Sequence, residues 1–260
     1  MKTSTGLLPA QRQQRILEIL REEFTARSSQ LSELLGVSEM TIRRDLDVLD
    51  QQGLVERTHG GAVCRQERVP SKFQYRSSAG KNPGEKQTIA KRAAALIEPN
   101  DILYIGEGFT AAQVVRHAEG RMPFTVFTNN LAVVSEMGAS AAELVLMGGA
   151  YNPTTNALAG PLTLEMIRQV KANKVFLGAD GFSLKSGLTA TDLDIAVIER
   201  NMIQQTHGQV IAMADHTKFG LVAEYFIAPL KSISLLVTNR KIPDDFCREL
   251  EALNIEIAIA

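Results

Sequence analysis

Near the N-terminus, apolar residues recur at the three- and four-residue intervals of an amphipathic helix. The segment "PAQRQQRILEILREEF" places these residues on one face, namely Ile16, Leu17, Ile19, Leu20 and Phe24. A shorter segment, "SSQLSELLG", repeats leucines at helical spacing, namely Leu31, Leu34 and Leu35. Ser28 or Ser29 is expected to cap this second helix, and Gly36 is expected to end it.

A third helical pattern covers residues 39–52, where Ser38 is the expected N-cap and Gly53 the expected stop. Its apolar positions repeat at i, i+4 and i+7, namely Ile42, Leu46 and Leu49. Two short helices joined by a tight turn that contains glycine are typical of the helix-turn-helix motif. We therefore predict that the second and third helices form such a motif.

The residues after the third helix predict a hairpin and then a linker. "LVERTHGGAVCR" alternates apolar and polar residues around Gly60-Gly61, which is the pattern of two strands joined by a flexible tip. Residues 66–84 have no sustained period and contain two prolines and two glycines. We predict a winged helix-turn-helix domain over residues 1–65, a linker over 66–84 and a second domain over 85–260.

The second domain is predicted to be an α/β domain. Helix-like stretches lie between most of a series of short apolar runs, at 110–118, 130–138, 161–170 and 191–205. Buried apolar strands that alternate with helices indicate a largely parallel sheet covered on both faces. The seven candidate strands are residues 101–106, 124–129, 143–149, 174–181, 209–215, 233–239 and 255–260.

Composition excludes several classes of protein. Hydrophobic residues make up 45% of the chain and charged residues 22%, as in ordinary globular proteins. No apolar run reaches the roughly 18 residues that span a bilayer, and the N-terminus lacks a secretory signal. Cys64 and Cys247 show no metal-ligand spacing and are too few for a disulfide scaffold. We expect a cytoplasmic protein without a membrane partner or a metal site.

Charge alone does not decide whether the chain binds nucleic acid. The net charge is −1, and residues 1–65 contain nine basic and nine acidic residues. A DNA-binding prediction therefore depends on where the charges lie. In a helix-turn-helix motif the second helix enters the major groove, with residues near its N-terminus against the base edges.

The third helix carries suitable side chains on its outward face. Arg43 and Arg44 can each donate two hydrogen bonds to guanine or hold a phosphate. Ser38 and Thr41 can donate to phosphates at the helix N-terminus. In the hairpin, Arg57, His59 and the backbone of Gly60 and Gly61 suit a wing along the sugar-phosphate backbone. A simpler alternative is an interaction helix in which the arginines pair with Asp45, Asp47 or Asp50, but this leaves the hairpin unexplained.

Polar and glycine-rich segments follow five of the predicted strands, and strand ends are where α/β sheets bind ligands. Glycines and Thr110 could form a phosphate cradle, with Lys218 or Lys86 neutralising the charge. Asn129, Asp180 and Asp215 could hold sugar hydroxyls. Tight turns, a surface lysine and a helix cap at Asn129 are the simpler interpretations. The five segments are "GEGFT" (106–110), "TNN" (128–130), "GG" (148–149), "GADG" (178–181) and "DHTKFG" (215–220).

The segment "GEGFTA" also fits the G-x-G-x-x-A pattern of dinucleotide-binding proteins. Such sites need an acidic residue about 20 residues further on, at the end of the next strand. That strand ends in "FTNN", which contains no acid. We therefore expect no nicotinamide cofactor, and no other cofactor is indicated.

The string "LGVSEMTIRRDLDVLDQQGLVERTHGGAV" resembles the N-terminal signature of the DeoR family of bacterial transcriptional regulators. It contains S-x-x-T-I-R-R-D-L-x-x-L-x-x-x-G followed by R-x-H-G-G-A, and the resemblance continues through Glu85, Lys86, Ile89 and Ala90 towards the C-terminus. The resemblance implies a winged helix-turn-helix joined to a sensor domain similar to phosphosugar isomerases. It further implies a homodimer or homotetramer on double-stranded operator DNA, and a repressor of a sugar catabolic operon that a phosphorylated sugar releases.

The same resemblance implies a set of effector-binding residues, with Asp215 and Lys218 of the "D-x-x-K-x-G" stretch as the leading pair. To these the glycine-rich segment adds Gly106, Glu107 and Gly108. The remaining candidates are Lys86, Thr110, Thr128, Asn129, Gly149, Asp180 and Gly181.

One segment departs from the family pattern. Many members read D-x-G-T-T-T where this chain has "GEGFTA", so Gly106 stands at the aspartate position, and Phe109 and Ala111 replace hydroxyl residues. Either Glu107 contributes differently or the effector is unusual.

Two other functions remain open from the residues alone. A phosphosugar isomerase could use Glu107, Asp180, Asp215 or Lys218 to move protons. An activator has the same sequence features as a repressor. We nevertheless predict no catalytic residues, because fold does not imply function.

Overall fold

A computed structural model of the chain describes residues 7–23, 25–58, 60–64, 82–118, 123–138, 142–239, 242 and 244–260. The chain divides into two compact units, residues 1–67 with 243–249 and residues 68–242 with 250–260. No helix in the described ranges is long and apolar enough to cross a membrane.

The N-terminal unit contains the three predicted helices and a small antiparallel sheet. Its elements are α1 (Pro9–Glu23), β1 (Thr25–Arg27), α2 (Ser28–Leu35), α3 (Glu39–Gln51), β2 (Val55–Arg57) and β3 (Gly61–Cys64). The helices and β2 pack through a common apolar core that includes Ile16, Leu20, Leu31, Ile42, Leu46, Leu49 and Val55. The predicted apolar faces are therefore confirmed with two exceptions: Leu34 is exposed, and Phe24 lies outside the described residues.

The caps of α2 and α3 show which of the predicted helix starts and stops are correct. Gly36 ends α2 with a φ of 64°, and the Thr41 N–H donates to Ser38 Oγ at 3.2 Å as the α3 cap. The prediction of Ser28 or Ser29 as the α2 cap is wrong, because Arg27 is the N-cap and Ser28 is already helical. Arg27 is the last residue of strand β1 and has an extended backbone. The Arg27 N–H donates to Gln30 Oε1 at 3.0 Å.

The predicted hairpin is confirmed, but the sheet has a third strand that the sequence did not indicate. The strand order is β1-β3-β2, with Val55 opposite Cys64 and Ala26 opposite Ala62. Gly61 lies inside β3 rather than at a free tip. A Cβ on Gly61 would come within 2.1 Å of Ala26 O, so the close approach of β1 requires glycine there.

The C-terminal unit contains strands and helices in the predicted alternation. Its strands are β4 (Ile102–Ile105), β5 (Thr125–Thr128), β6 (Glu143–Leu146), β7 (Ala150–Asn152), β8 (Ala157–Ala159), β9 (Ala172–Leu177), β10 (Gly181–Ser183), β11 (Gly187–Ala190), β12 (Thr206–Ala214), β13 (Tyr225–Ala228), β14 (Leu235–Thr238) and β15 (Glu256–Ile259). Its helices are α4 (Pro83–Ala94), α5 (Phe109–His117), α6 (Ala132–Glu136), α7 (Pro161–Arg168) and α8 (Leu193–Gln205). A further helix, α9 (Asp244–Ala252), precedes β15.

All seven predicted strands join one parallel sheet, in the order β15-β14-β12-β9-β4-β5-β6. Helices α4, α5 and α6 contribute to the core on one face, where Leu103 and Phe176 point. Helices α7 and α8 contribute to the core on the other face, with Tyr104 and Leu177. Neighbouring strand residues thus reach opposite cores, and the expectation of a sheet covered on both faces is confirmed.

Two features of this unit differ from the sequence prediction. Helix α4 starts at Pro83, so the last two residues of the predicted linker are helical. Proline suits the first helical position because the N–H group that it lacks would have no acceptor within the helix. Pro83 therefore marks the start of α4. The other predicted linker residues up to 81 lie outside the described ranges. Two small antiparallel sheets, β7-β8 and β10-β11-β13, were not predicted.

A buried ion pair holds the helices of the N-terminal unit together, and its loss should be costly. Arg12 donates from Nε to Asp45 Oδ2 at 2.5 Å and from Nη2 to Asp45 Oδ1 at 3.2 Å, and both side chains are buried. Replacing Asp45 by alanine should destabilise the unit by about 3–5 kcal/mol, because an uncompensated guanidinium would stay buried. Native-state hydrogen exchange of the α3 amides measures this change.

The exposed pair between Arg15 and Glu18, at 2.7 Å, is the matched control. Glu18→Ala should change the same exchange by less than about 1 kcal/mol. Equal losses in the two variants would show that burial is not what makes the Arg12–Asp45 pair important.

Candidate nucleic-acid interface and ligand pocket

The outward face of α3 carries the predicted DNA-binding side chains. Ser38, Arg43 and Arg44 are exposed and Thr41 is partly exposed. The Ser38 and Thr41 hydroxyl oxygens lie 2.9 Å apart at the helix N-terminus, where backbone N–H groups and the helix dipole favour an anion. The structure therefore brings these four residues together on one surface.

Two acidic residues of α3 have partners outside the helix, and among the described residues no ion pair joins Arg43 or Arg44 to Asp45, Asp47 or Asp50. Asp45 is buried against Arg12, and Asp47 Oδ1 accepts from Arg57 Nε at 3.0 Å. Arg43 lies 3.6 Å from Glu39 within an exposed pair. Among the described residues, Arg44 has no acceptor within hydrogen-bonding or ion-pair distance. Its guanidinium is available to an external partner.

The hairpin residues are more constrained than the sequence suggested. Arg57 donates to Asp47 and also to the Gly61 carbonyl, so it joins the hairpin to α3. The Gly60 carbonyl accepts from the Ser28 N–H at 2.9 Å, while Gly60 itself is exposed. Gly61 is buried, and His59 lies outside the described residues. A wing contact by Arg57, His59, Gly60 and Gly61 stays a prediction.

In the C-terminal unit, a pocket lies at the carboxyl ends of β4, β9 and β12, next to the start of α5. It brings together seven of the twelve residues that were predicted to bind an effector. These are Lys86, Glu107, Gly108, Thr110, Asp180, Asp215 and Lys218.

The start of α5 provides backbone donors to this pocket. Gly108 is the N-cap and has a φ of 107°, a conformation that side-chain-bearing residues rarely adopt. Gly108, Phe109, Thr110 and Ala111 all line the pocket. Because the first N–H groups of a helix have no partner within it, this corner suits an anion such as phosphate.

Five predicted effector residues do not line the pocket, and packing accounts for most of them. The Thr128 hydroxyl donates to the Ile105 carbonyl at 2.7 Å, and Asn129 Nδ2 donates to the Leu158 carbonyl at 2.9 Å. It is Asn130, rather than Asn129, whose side chain accepts from the Ala132 N–H of the following helix.

The three glycines of this set lie where a side chain has no space. A Cβ on Gly149 would meet Thr163 Oγ1 at 2.4 Å, and a Cβ on Gly181 would meet Leu221 O at 2.5 Å. A Cβ on Gly106 would meet Glu199 Oε1 at 2.8 Å. The requirement for glycine at these positions is therefore steric.

Hydrogen bonds fix the polar walls of the pocket. Asp180 Oδ2 accepts from both the N–H and the hydroxyl of Thr191 at 2.8 Å, and Asp180 Oδ1 lies 4.0 Å from Lys218 Nζ. Asp215 Oδ1 accepts from the N–H and the hydroxyl of Thr217 at 2.9 and 2.5 Å, which caps the 3₁₀ turn His216–Lys218. Both aspartates are thus held by hydrogen bonds, and Lys218 lies at ion-pair distance from Asp180.

The pocket also contains residues that the sequence analysis missed, above all Glu199 of α8. Glu199 is buried, and its Oε1 accepts from the Glu107 N–H at 3.3 Å. A signal for it exists in the sequence, because Glu199 falls on the same helix face as Ile195, Ile198 and Met202. Thr155, Thr191 and Asp192 also line the pocket, and they lie in segments whose position only the fold reveals.

Burial and mutual repulsion alter the ionisation of the two glutamates. Burial, followed by the nearby Asp180 charge, raises the pKa of Glu107 to about 8, with Lys218 acting in the opposite direction. Burial and the Glu107 charge raise the pKa of Glu199 well above its usual value. Protonated carboxyls can donate hydrogen bonds, so this side of the pocket suits uncharged polar groups of a ligand.

The pocket combines positively charged groups with hydrogen-bond donors and acceptors. Its two lysines and the α5 N-terminus provide positive charge, and its threonines and carboxyls provide donors and acceptors for hydroxyl groups. The described residues contain no group of three histidine, cysteine or acidic side chains arranged to hold a metal ion.

Comparisons with known proteins place both units in one family. The DeoR-like helix-turn-helix domain matches residues 12–68, and the DeoR C-terminal sensor domain matches residues 81–240. The chain is 29% identical to the HTH-type transcriptional regulator GolR of Listeria innocua, over 98% of this chain and 100% of that protein. It is 33% identical to the transcriptional repressor AccR of Agrobacterium fabrum, over 88% of each chain.

Solved structures also show similarity to part of the chain. Ribose 5-phosphate isomerase A from Methanocaldococcus jannaschii shares 16% identity over 54% of this chain and 55% of that chain, with a TM-score of 0.40.

Replacing Glu107 by glutamine should stabilise the protein increasingly as the pH rises. Between pH 4.5 and about 8, the folded state keeps a proton on Glu107 that the unfolded chain has already released. Wild-type stability should therefore decline across this window, with the effect absent below pH 4.5 and complete above about pH 8. Urea unfolding of both proteins from about pH 5 to about pH 9 measures the difference. A difference that is the same at every pH would contradict the prediction.

Proposed function

Since this chain belongs to the DeoR family of transcriptional regulators, we propose that it represses a sugar catabolic operon and leaves its DNA when a phosphorylated sugar binds the pocket. The protein is a DNA-binding transcriptional regulator and not an enzyme, as the matched domains and the regulators among its relatives indicate. Its partners are DNA and a small-molecule effector. The proposal adds the class of effector, the direction of regulation and the residues involved.

The observation that carries the DNA-binding part is the distribution of partners on α3. Two acids on this helix are used elsewhere, Asp45 by Arg12 and Asp47 by Arg57, and Glu39 pairs with Arg43. Arg44 is left exposed without a partner among the described residues. A guanidinium in that position near the start of a recognition helix can reach guanine or phosphate in the major groove.

The pocket contains groups suited to both parts of a phosphorylated sugar. Lys86, Lys218 and the N-terminus of α5 can hold the phosphate. Asp180, Thr191 and Asp192 can accept or donate hydrogen bonds to sugar hydroxyls. Glu107 would repel a phosphate if ionised, so its raised pKa is compatible with the proposal.

Release of DNA requires that the effector bind two states of the protein with different affinity. We propose that the protein acts as a homodimer or homotetramer whose helix-turn-helix units bind repeated operator half-sites. The effector would favour an arrangement of the units that no longer matches the spacing of the half-sites. A cytoplasmic location is part of this proposal, because the protein must reach chromosomal DNA.

Arg44→Ala should weaken binding to the operator by about tenfold to 100-fold, as expected for loss of one bidentate contact. Fluorescence anisotropy on labelled DNA from upstream of its own gene measures the affinity at fixed salt concentration. Binding of sugar phosphates should be unchanged. Arg168→Ala removes an exposed arginine of α7 and is the control, for which wild-type affinity is expected. Unchanged operator affinity in the Arg44 variant would remove α3 from the interface as proposed.

Lys218→Ala should produce a repressor that binds DNA normally but does not respond to its effector. Loss of a charged donor to phosphate should weaken effector binding by about tenfold or more. Calorimetric titration with a panel of sugar phosphates measures this affinity, and anisotropy measures release. Lys231→Ala, at an exposed lysine that precedes β14 and does not line the pocket, is the control. Normal release in the Lys218 variant would place the phosphate elsewhere.

A further inference from the structure

A cluster of three polar side chains lies beside the proposed effector pocket and is not part of it. Glu85 Oε2 lies 3.0 Å from His216 Nδ1 and accepts a hydrogen bond from Asn239 Nδ2 at 2.8 Å. Asn239 Nδ2 and His216 Nδ1 are 3.3 Å apart. The three residues come from α4, from the 3₁₀ turn His216–Lys218 and from the end of β14. They therefore join segments that are far apart in the sequence.

Two members of the cluster, Glu85 and His216, lie within two residues of a pocket lysine in the sequence. Glu85 precedes Lys86, which is buried and lines the pocket. His216 follows Asp215 and lies two residues before Lys218, both of which line the pocket. A ligand that contacts either lysine therefore acts within two residues of the contact between Glu85 and His216.

The third member supplies a fixed point. Asn239 is buried and directly follows β14, which is paired on both sides with β12 and β15. Its Oδ1 accepts no hydrogen bond from any described residue, so the contacts of Nδ2 with Glu85 and His216 orient the amide. The cluster thus ties the first turn of α4 to the carboxyl edge of the sheet.

We propose that Glu85, His216 and Asn239 are the positioning residues that couple occupancy of the pocket to the start of α4, the helix that follows the predicted linker. A phosphate held by Lys86 and Lys218 changes the separation of the two segments, and the carboxylate of Glu85 converts this change into a shift of the first helical turn. The predicted linker ends where that turn begins. This inference rests on the proposed function, because it needs a sugar phosphate in the pocket and DNA on the N-terminal unit.

The test uses the full chain and three variants. Two of them replace His216 and the third replaces a matched histidine. His216→Ala removes the ring nitrogen that contacts Glu85, whereas His216→Asn can place an amide N–H group near the Nδ1 position and should rescue the contact. His207→Ala removes an exposed histidine at the opposite, amino end of β12 and is the control.

Three affinities define the coupling for each protein. They are operator binding without sugar phosphate, binding of the panel compound that releases wild-type protein, and operator binding at saturating concentration of that compound. The coupling is the ratio of the two operator affinities, which for allosteric proteins is about 5-fold to 150-fold. In His216→Ala the ratio should fall to about 1, while each binding event alone changes by less than about threefold. His216→Asn and His207→Ala should keep the wild-type ratio.

Hydrogen exchange of the amides of residues 86–90, measured without any sugar phosphate, provides a second readout. Exchange should be faster in His216→Ala and return to the wild-type rate in His216→Asn, because the latter retains the anchor. Wild-type exchange in His216→Ala would overturn the proposed anchor, whether or not an effector has been found.

The remaining outcomes separate this inference from the proposed function. If wild-type protein is released but His216→Ala is released equally well, the cluster is only structural and the coupling role is wrong. If no panel compound releases wild-type protein, the proposed phosphosugar response fails, and the coupling role fails with it.

Discussion

The parallel direction of the seven central strands is the constraint on which the larger unit depends. In a parallel sheet every carboxyl end lies at the same edge, so residues that follow different strands meet without any further contact to bring them together. Strand order then decides which ends are neighbours. From β4 the chain first proceeds outward to β5 and β6 and then returns to β9 on the other side, and the pocket lies at this reversal.

Periodicity in the sequence was enough to predict the elements, because each strand and helix buries an apolar face that its own residues define. All seven strands of the main sheet and the three helices of the DNA-binding unit followed from that rule. Periodicity could not predict the contacts that an element makes with other segments of the chain. Ser28 failed as a cap because β1 supplied Arg27, and Gly61 had a packing role that depends on the same strand.

In the candidate sites, too, local patterning predicted some residues correctly and failed where other segments decide the contacts. The residues of the motif on α3 are close in sequence, and local patterning placed them correctly on an outward face. For the pocket, strand-end reasoning selected Glu107, Asp180, Asp215 and Lys218, which do come together. It also selected Thr128 and Gly149, because a residue at a strand end can point into packing as well as into a crevice. Glu199 was missed since it reaches the pocket from the middle of a helix.

The short distance between Gly106 and Glu199 couples the two positions through packing. The volume that a side chain at 106 would fill is occupied by the Glu199 carboxylate, whose Oε1 is 2.8 Å from where a Cβ would stand. A residue with a Cβ at 106 would therefore have to displace Glu199, which also accepts a hydrogen bond from the Glu107 N–H. The effects of substitutions at 106 and 199 are therefore expected to be non-additive, because the two residues share one packing environment.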